Sequence, residues 1–403
     1  MRWPLAIILL FAAAPAAAAD FRFEGFGDLR LIAPSSSDRS WQDDGLGKLR
    51  YGKTSGVVQF GGATGQATVL LTSELMFSAV GRIDPSLSPG VDLIEAYLRY
   101  RPVSLSRWRW SVKAGAFFAP FSLENTEIGW APYWTITPSA INSWYGDELR
   151  TIGGEGTVEW RGEDGTLKLI ASAYGLNQPA GVLMAFRGWA LGDQPGGLFE
   201  HPPLADATML QFHRPAPATT PMFAQYDDHP GWYAGASWTA AEHWHLEVFR
   251  YDNEADPAAH HDRDFGWRTK FWHLGLSGRW DEFTALAQAV SGDTFVKTAP
   301  TSVSTTDFDS AFVLLGWEHA AWRAALRVEE FHTNSYGTTG AKPSTSENGH
   351  AATAALSWLP NDWLKLTAEL IALQSLRGGR SQTGLDPSQT ETQFQLAARI
   401  YLD

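Results

Sequence analysis

Four carboxylates lie in residues 115–148, whose sequence is GAFFAPFSLENTEIGWAPYWTITPSAINSWYGDE. They are Glu124, Glu127, Asp147 and Glu148, and no Lys or Arg occurs from position 119 to 149. Acidic side chains arranged around a narrow passage favour cations over anions. This stretch is therefore the first candidate site for ion chemistry in the chain.

The aromatic residues of the same stretch have two interpretations. Their flat faces could stack on sugars or aromatic acids, or their area could pin the segment to neighbouring structure, as buried aromatics usually do. Three prolines interrupt the stretch, so we expect an irregular loop. The aromatic residues concerned are Trp130, Tyr133, Trp134, Trp144 and Tyr145.

Charges of the opposite sign precede this loop. Four basic residues alternate with apolar ones in the two preceding segments: Arg99, Arg101, Arg109 and Lys113. One acidic residue, Glu95, belongs to the same alternation. Successive side chains of a strand point to opposite faces, so the charges of each segment share one face. We predict that the basic side chains face the loop carboxylates and form transverse ion pairs that orient polar solutes.

The same alternation recurs along the chain and identifies the elements that must position these residues. The first segment opposes an apolar and a charged face: Phe21, Phe23, Leu29 and Leu31 against Arg22, Glu24, Asp28 and Arg30. The fourth opposes Ile94, Ala96, Leu98 and Tyr100 to Glu95, Tyr97, Arg99 and Arg101. Strands of this kind have one lipid-facing and one lumen-facing side in a membrane barrel.

Counting these segments predicts sixteen strands, and an even number is typical of bacterial barrels. Strand boundaries read from sequence shift by several residues, so fourteen or eighteen strands remain open. The predicted spans are 20–33, 46–60, 65–78, 91–102, 107–118, 149–161, 166–177, 231–239, 243–253, 265–280, 283–292, 308–318, 322–333, 348–359, 363–376 and 390–402.

Short connections alternate with long ones, as periplasmic turns alternate with extracellular loops. The predicted short turns are 61–65, 103–106, 162–165, 240–242, 281–282, 319–321 and 360–362. Aromatic residues flank most of them, which is typical of a girdle at a membrane interface. These residues are Trp108, Trp160, Trp238, Trp244, Trp280, Phe283, Trp317, Trp322, Trp358 and Trp363.

Composition agrees with an exported, all-β chain. Nineteen Trp, 22 Phe, 11 Tyr and 38 Gly accompany no Cys, so the fold does not depend on disulfides. Residues 1–19 have an apolar core and end in Ala17, Ala18 and Ala19, which predicts a cleaved signal peptide. No later run of 18 apolar residues occurs, and strands cross a membrane only as a closed barrel. We predict one antiparallel transmembrane β-barrel over 20–403.

The start of the candidate loop resembles the phosphate-selective porin O and P family. Gly115, Phe117, Pro120, Phe121, Ser122 and Glu124 reproduce a G-x-F-x-x-P-F-S-x-E pattern, and the preceding 95–102, EAYLRYRP, is also similar to that family. The resemblance is specific over 91–124 and architectural elsewhere. It implies a sixteen-stranded, trimeric outer-membrane porin whose third loop, 119–148, folds into the lumen.

The resemblance also supplies the constriction that we predict. Its candidate residues are Phe117, Pro120, Phe121, Glu124, Glu127, Trp130, Tyr133, Trp134, Asp147 and Glu148. The family's anion selectivity rests on inward Arg and Lys, which this loop lacks, and the chain has a formal net charge of −13. We therefore predict passive diffusion of small polar solutes or ions with weak cation selectivity or none. A phosphate-selective porin is the alternative.

Two other function classes stay open beside the porin. An outer-membrane hydrolase would carry a Ser-His-acid or paired-acid site, but no His-x-Ser occurs. A non-conducting structural barrel or adhesin would have a lumen sealed by side chains. The C-terminal alternation of Phe394, Leu396, Ala398, Ile400 and Leu402 resembles the signal read by the outer-membrane assembly machinery, although Asp403 follows it.

The long segment 177–230 is predicted to be an extracellular loop with a functional or disordered role. It contains His201, His213 and His229, which could join the run His260-His261-Asp262-Arg263-Asp264 in binding a divalent metal. Such spacing is a weak signal, so we predict no metal and no cofactor. The expected partners are outer-membrane lipid, solutes, further copies of the chain and the assembly machinery, but not nucleic acid.

Overall fold

The wall of the molecule is a single closed sheet of sixteen antiparallel strands, which confirms the predicted all-β barrel and its strand count. The computed structural model describes residues 20–34, 38–52, 55–204, 218–240, 243–262, 264–337 and 346–402. The predicted signal peptide and Asp403 lie outside these ranges. Among the described residues, no helix has the length and apolar character needed to cross a membrane.

The barrel strands follow one another around the wall in chain order. They are β1 (Asp20–Pro34), β2 (Val58–Leu70), β3 (Leu75–Ile83), β4 (Val91–Tyr100), β5 (Trp108–Phe118), β6 (Arg150–Arg161), β7 (Gly165–Gly175), β8 (Gly231–Ala240), β9 (Trp244–Asp252), β12 (Arg268–Trp280), β13 (Phe283–Ala299), β14 (Ser302–His319), β15 (Trp322–Gly337), β16 (Glu347–Asn361), β17 (Leu364–Arg377) and β18 (Ser388–Leu402). β18 pairs with β1 and closes the barrel.

The remaining elements lie in the connections. They are α1 (Ala140–Glu148), α2 (Val182–Arg187), the paired short strands β10 (His260–His261) and β11 (Asp264–Phe265), and the 3-10 turns Trp41–Asp43, Ile128–Trp130 and Gly378–Thr383. The strands leave long connections at one end of the barrel, the loop end, and mostly shorter ones at the other, the turn end. Both termini of the described wall lie at the turn end.

Side-chain alternation produces the two faces of the wall. On β1, Phe21 and Leu31 point outward and are 63% and 49% exposed, whereas Asp28 and Arg30 point inward and are each 2% exposed. The tryptophans that flank the turns also point outward, and Trp322 and Trp358 stack with ring centroids 6.1 Å apart. The outer surface is therefore apolar, and the inner surface carries the charge.

Gly61 and Gly62 form a bulge within β2 and not a turn. The predicted spans 46–60 and 65–78, with a turn at 61–65, are wrong because Gly61 and Gly62 lie within β2 and the turn falls at 71–74. The β1–β2 register shifts at this point, leaving Gly61 unpaired, and Gly62 has φ +108°. Glycine inside a strand often marks a bulge of this kind rather than a turn.

A second bulge changes the face of Ile94. The register between β3 and β4 passes from Val80 opposite Glu95 to Gly81 opposite Leu93, so Ile94 has no partner. The extra residue turns its side chain inward, where it is fully buried. Its predicted position on the outer apolar face is therefore wrong.

The β13–β14 hairpin is longer than the sequence pattern indicates. The predicted strands end at 292 and begin at 308, but pairing continues to Ala299 and Ser302. Polar pairs such as Asp293 with Asp307 form this extension. The alternating apolar residues that predict the rest of each strand are therefore missing from it. The backbone ladder continues where the hydrophobic pattern stops.

Candidate functional site: loops folded into the barrel

Loop 3, the connection 119–149, lies inside the barrel. Its helix α1 is buried along its whole length, and Ser139 caps it by accepting a hydrogen bond from the Asn142 backbone N–H at 3.3 Å. Isolated helices this short are marginal in water, so tertiary packing must hold α1. Side chains of the barrel wall supply that packing.

A buried ion pair attaches loop 3 to β15. The Glu124 carboxylate accepts from Arg327 Nη1 at 2.5 Å, and neither side chain is exposed to solvent. Arg327 also donates to the backbone carbonyls of Thr137 and Pro138, at 2.9 and 3.2 Å. One guanidinium thus holds both the early part of the loop and the segment before α1.

Two carboxylates of the wall receive backbone N–H groups of the loop. Glu329 of β15 accepts from the Ala140 N–H at 2.7 Å, at the amino end of α1. Glu369 of β17 accepts from the Ile136 N–H at 2.6 Å and from Thr137. Anions are favoured at a helix amino terminus because the N–H groups there lack helical partners.

The turn-end side of loop 3 is held by a third set of charges. Glu127 accepts from Arg399 Nη1 of β18 at 2.8 Å and lies 3.8 Å from Lys365 Nζ of β17. Tyr133 donates to Glu318 at 3.1 Å, and its ring lies under the Arg323 guanidinium at 3.8 Å. Loop 3 is therefore clamped to the β14–β18 wall.

This geometry corrects the predicted transverse pairs. The loop carboxylates Glu124 and Glu127 pair with β15, β17 and β18, whereas Lys113 pairs with Glu155 on neighbouring β6 at 3.1 Å. The loop crosses the lumen after leaving β5, so its acidic residues face the opposite wall rather than the strands beside its root.

An aromatic cluster fills the lumen between loop 3 and the wall from β5 to β14. Phe121 contacts the rings of Tyr233, Phe249 and Phe271, with centroids 5.1–5.8 Å apart. Trp144 packs on Phe308 at 4.9 Å. These contacts favour the pinning interpretation for the buried rings of Trp134, Trp144 and Tyr145, because rings surrounded by protein cannot stack on a passing solute.

Loop 4, the connection 176–230, also folds inward, which sequence reasoning missed. Its helix α2 follows a glycine, Gly181, with φ +99° and is buried. Arg187 at the end of α2 pairs with Asp147 of α1, and Glu148 accepts from the Leu183 N–H at 2.7 Å. The apolar residues of the loop, such as Phe186 and Trp189, could have indicated this, because they are buried. Its residues 205–217 lie outside the described part.

Burial controls the acidity of the two carboxylates at the end of α1. Loss of water raises the pKa of Asp147 to about 6, against the opposing effect of Arg187. It raises the pKa of Glu148 to about 7, although Leu183 and Trp144 donate hydrogen bonds to that carboxylate. Both groups therefore titrate near neutral pH.

The predicted constriction residues fall into two groups. Six are buried: Phe117, Phe121, Glu124, Trp134, Asp147 and Glu148. Four are partly exposed: Pro120, Glu127, Trp130 and Tyr133. Of the predicted wall residues, Arg101 is exposed at the turn end and the others are partly exposed: Glu95, Arg99, Arg109 and Lys113.

A further charged cluster, absent from the predicted site, lies between loop 4 and the strands β1 to β3. Asp193 of loop 4 bridges Arg30 of β1 at 2.5 Å and Arg50 of loop 1 (35–57) at 2.9 Å. Burial opposes ionisation of Asp193, but the two arginines outweigh it and lower its pKa to about 2. Alternation placed Arg30 inside the barrel, but nothing local pairs it with residue 193.

The histidines considered as metal ligands do not come together in the part of the chain that the structure describes. His260 and His261 lie exposed in the β10–β11 hairpin, and no group of three His, Asp or Glu side chains suited to a metal forms among the described residues. His213 and Arg263 lie outside those residues.

Comparisons with solved structures identify the architecture. The outer membrane channel DcaP of Acinetobacter baumannii aligns with TM-score 0.57 and 12% identity over 96% of this chain and 99% of its own. A loop L8 deletion mutant of OmpT, an outer membrane protein of Vibrio cholerae, gives TM-score 0.54 and 9% identity over 96% and 100%. Salmonella typhi OmpF, in complex with daunomycin, gives 0.50 and 10% over 95% and 97%.

Comparison with protein-family models and with curated protein sequences gives no match. At these identities the structural likeness concerns the fold alone: this chain forms a sixteen-stranded barrel of the kind found in outer-membrane porins and channels.

Proposed function

We propose that the protein is an outer-membrane porin through which small polar solutes or ions diffuse passively. The observation that carries this proposal is loop 3, clamped across the lumen of a closed barrel by the buried Arg327–Glu124 pair. Ion pairs buried in this way hold a loop in one position, as a constriction requires. The similarity to the channel DcaP supports the same function.

The proposed channel is weakly cation-selective or non-selective. Most charges at the level of loop 3 are neutralised in pairs, such as Glu127 with Arg399 and Asp147 with Arg187. Paired charges generate little net field along a passage, so neither sign of ion is strongly concentrated. Selectivity for phosphate, implied by the family resemblance, would need basic side chains free of acidic partners.

Planar-bilayer recording tests this function. We expect stepwise single-channel currents from the purified protein and a small reversal potential in a salt gradient. A strongly anion-selective reversal potential would support the phosphate-selective alternative. Turnover of a lipid or peptide substrate would instead support the hydrolase, since we propose no enzymatic activity.

One observation favours a second candidate, the non-conducting structural barrel. Loops 3 and 4 together bury most of the lumen-facing side chains of β12 to β18. A lumen filled in this way would give no current steps, whereas a porin that keeps a narrow route would give steps of low conductance. The same recording therefore separates the two candidates.

We further propose that the mature chain begins near Asp20, lies in the bacterial outer membrane and forms a homotrimer. The outward apolar face and the tryptophans at the turn end fit a membrane location. Mass measurement of the purified complex by light scattering tests the trimer, and amino-terminal sequencing tests the cleavage.

A further inference from the structure

Three sectors of the lumen differ in what fills them at the level of loop 3. The aromatic cluster around Phe121 fills the sector facing β5 to β14. The clamp around Arg327 fills the sector facing β15 to β17. The third sector, which faces β18, β1, β2 and β3, is lined by charged and small residues and contains a cavity.

This cavity has a volume of about 40 Å³ and lies between the wall and the two inward loops. Wall residues Arg30, Thr64 and Arg82 line one side, and Ala131 of loop 3 and Asp193 of loop 4 line the other. A space of this size holds water but no larger solute without small movements of the loops.

A wider space lies next to the cavity, on its turn-end side. This vestibule, of about 690 Å³, shares Phe26 with the cavity lining and is also lined by Glu127 and Tyr401. Arg399 lines the cavity and donates to Glu127 at 2.8 Å, so this ion pair stands between the two spaces. The cavity and the vestibule therefore lie side by side, with the Arg399–Glu127 pair at their border.

The acceptors around the cavity are occupied. Asp28 accepts from Arg399 and Arg30, each at 2.8 Å, and Asp193 accepts from Arg30 and Arg50. Asp84 accepts from Arg50 at 2.9 Å and from Ser86. No carboxylate of this cluster is left to bind a cation directly.

The donors are not all occupied. Arg30 and Arg82 are 2% and 5% exposed, yet Nε and Nη1 of each find no hydrogen-bond partner among the described residues. A buried donor without an acceptor is unfavourable, so the cavity lacks acceptors. Guanidinium groups bind oxyanions well because their N–H groups match paired oxygen atoms.

We infer that the solute route of this channel runs along β18, β1, β2 and β3, and that Arg30 and Arg82 form an eyelet there for small oxyanionic groups such as carboxylates and sulfonates. This inference rests on the proposed function. The formal charges of this cluster balance: the four basic residues are Arg30, Arg50, Arg82 and Arg399, and the four acidic ones are Asp28, Asp84, Asp193 and Glu200. The eyelet therefore selects by hydrogen bonding, while the overall ion selectivity stays weak.

The chain has no native cysteine, so a single introduced thiol reports on its own position. Thr64→Cys places the thiol at the cavity. Ser111→Cys is the matched control. Ser111 faces the lumen on β5, where it pairs with Thr157, and it lies on the turn-end side of the aromatic cluster, away from the cavity. Each variant is treated separately with two methanethiosulfonate reagents, one with an anionic sulfonatoethyl group and one with a cationic trimethylammonium-ethyl group. Intact mass spectrometry measures how much of the thiol is modified. Bilayer recording measures the current before and after modification.

We expect modification of Thr64→Cys to abolish or reduce the current several-fold, and modification of Ser111→Cys to leave most of it. We also expect the ratio of the modification rate with the anionic reagent to that with the cationic reagent to be higher for Thr64→Cys than for Ser111→Cys. Current loss at Ser111→Cys alone, or no mass shift at Thr64→Cys, would overturn the route. Equal reagent preference at the two positions would overturn the oxyanion eyelet.

Failure of the proposed function gives a different result. A wild-type protein without channel activity would contradict the porin itself. The mass-shift rates would then still show whether the cavity is open to water and whether it prefers the anionic reagent.

Discussion

Arg327 is the residue on which the position of loop 3 depends most directly. Its guanidinium meets Glu124, Glu329 and two loop carbonyls, all shielded from solvent. A charge in such a place is tolerable only while its partners remain, because the interior cannot solvate it.

Substitution of Arg327 tests this dependence. We expect Arg327→Met to lower the free energy of unfolding by about 3–5 kcal/mol, since it leaves Glu124 buried without its partner. Denaturant unfolding of the detergent-solubilised barrel measures the change. The control is Arg107→Gln, which breaks an exposed pair with Glu163. Equal losses in the two variants would contradict the clamp.

The buried carboxyl of Glu148 is expected to make the stability of the protein depend on pH. Burial raises its pKa from 4.5 to about 7, while Asp147, Arg187 and Tyr251 are the ionisable groups near it. The folded protein therefore holds this proton more tightly than the unfolded chain does. Its contribution to stability is present below about pH 4.5 and is lost as the pH rises to about 7.

The isosteric variant Glu148→Gln isolates this effect. We expect wild type to lose on the order of 3 kcal/mol more stability than the variant between these pH values. Thermal unfolding across the pH range measures the difference. Parallel pH profiles for the two proteins would show that Glu148 does not titrate in this range.

At the scale of elements, the 3-10 turn Ile128–Trp130 sets how closely loop 3 approaches the wall. Gly129 has φ +66°, and a Cβ there would lie 2.4 Å from Cγ2 of Thr64 on β2. Both the backbone conformation and the contact exclude a larger residue, so this glycine fixes the gap beside the cavity.

Gly129→Ala is expected to displace this turn and change the single-channel conductance. The matched control is Gly384→Ala, which has φ +79° but no atom within 4 Å of the added Cβ. Both variants carry the conformational cost of roughly 1 kcal/mol, whereas only the first meets the wall. An unchanged conductance in Gly129→Ala would mean that the turn does not border the route.

At the scale of the whole molecule, the two ends of the barrel predict its orientation. The turn end carries most of the outward tryptophans and both described termini, while the loop end carries the long connections and the tip of the β13–β14 hairpin. We expect the turn end to face the periplasm and the loop end the exterior.

Single cysteines test this orientation in intact cells. The two variants are Thr301→Cys and Ser106→Cys. Thr301 lies at the tip of the β13–β14 hairpin and Ser106 in the turn before β5, and both residues are exposed. We expect a membrane-impermeant maleimide to label the first on intact cells and the second only after the outer membrane is permeabilised. The reverse pattern would invert the proposed topology.

The wall of the barrel could be predicted from sequence because its cause is local. A side chain's face follows from its parity along the strand, so Phe21, Asp28 and Arg30 were assigned correctly. The errors at Gly61 and Ile94 arose where a bulge changes that parity, and an alternation pattern contains no separate signal for a bulge.

The site could be predicted only in part. Side-chain alternation predicted a closed barrel of about sixteen strands and located the segment that forms loop 3, because each depends on residues adjacent in the chain. The pairing of Glu124 with Arg327 and that of Asp193 with Arg30 appear only in the folded chain. These partners lie far apart in sequence, and the path of a loop through the lumen, rather than any local pattern, brings them together.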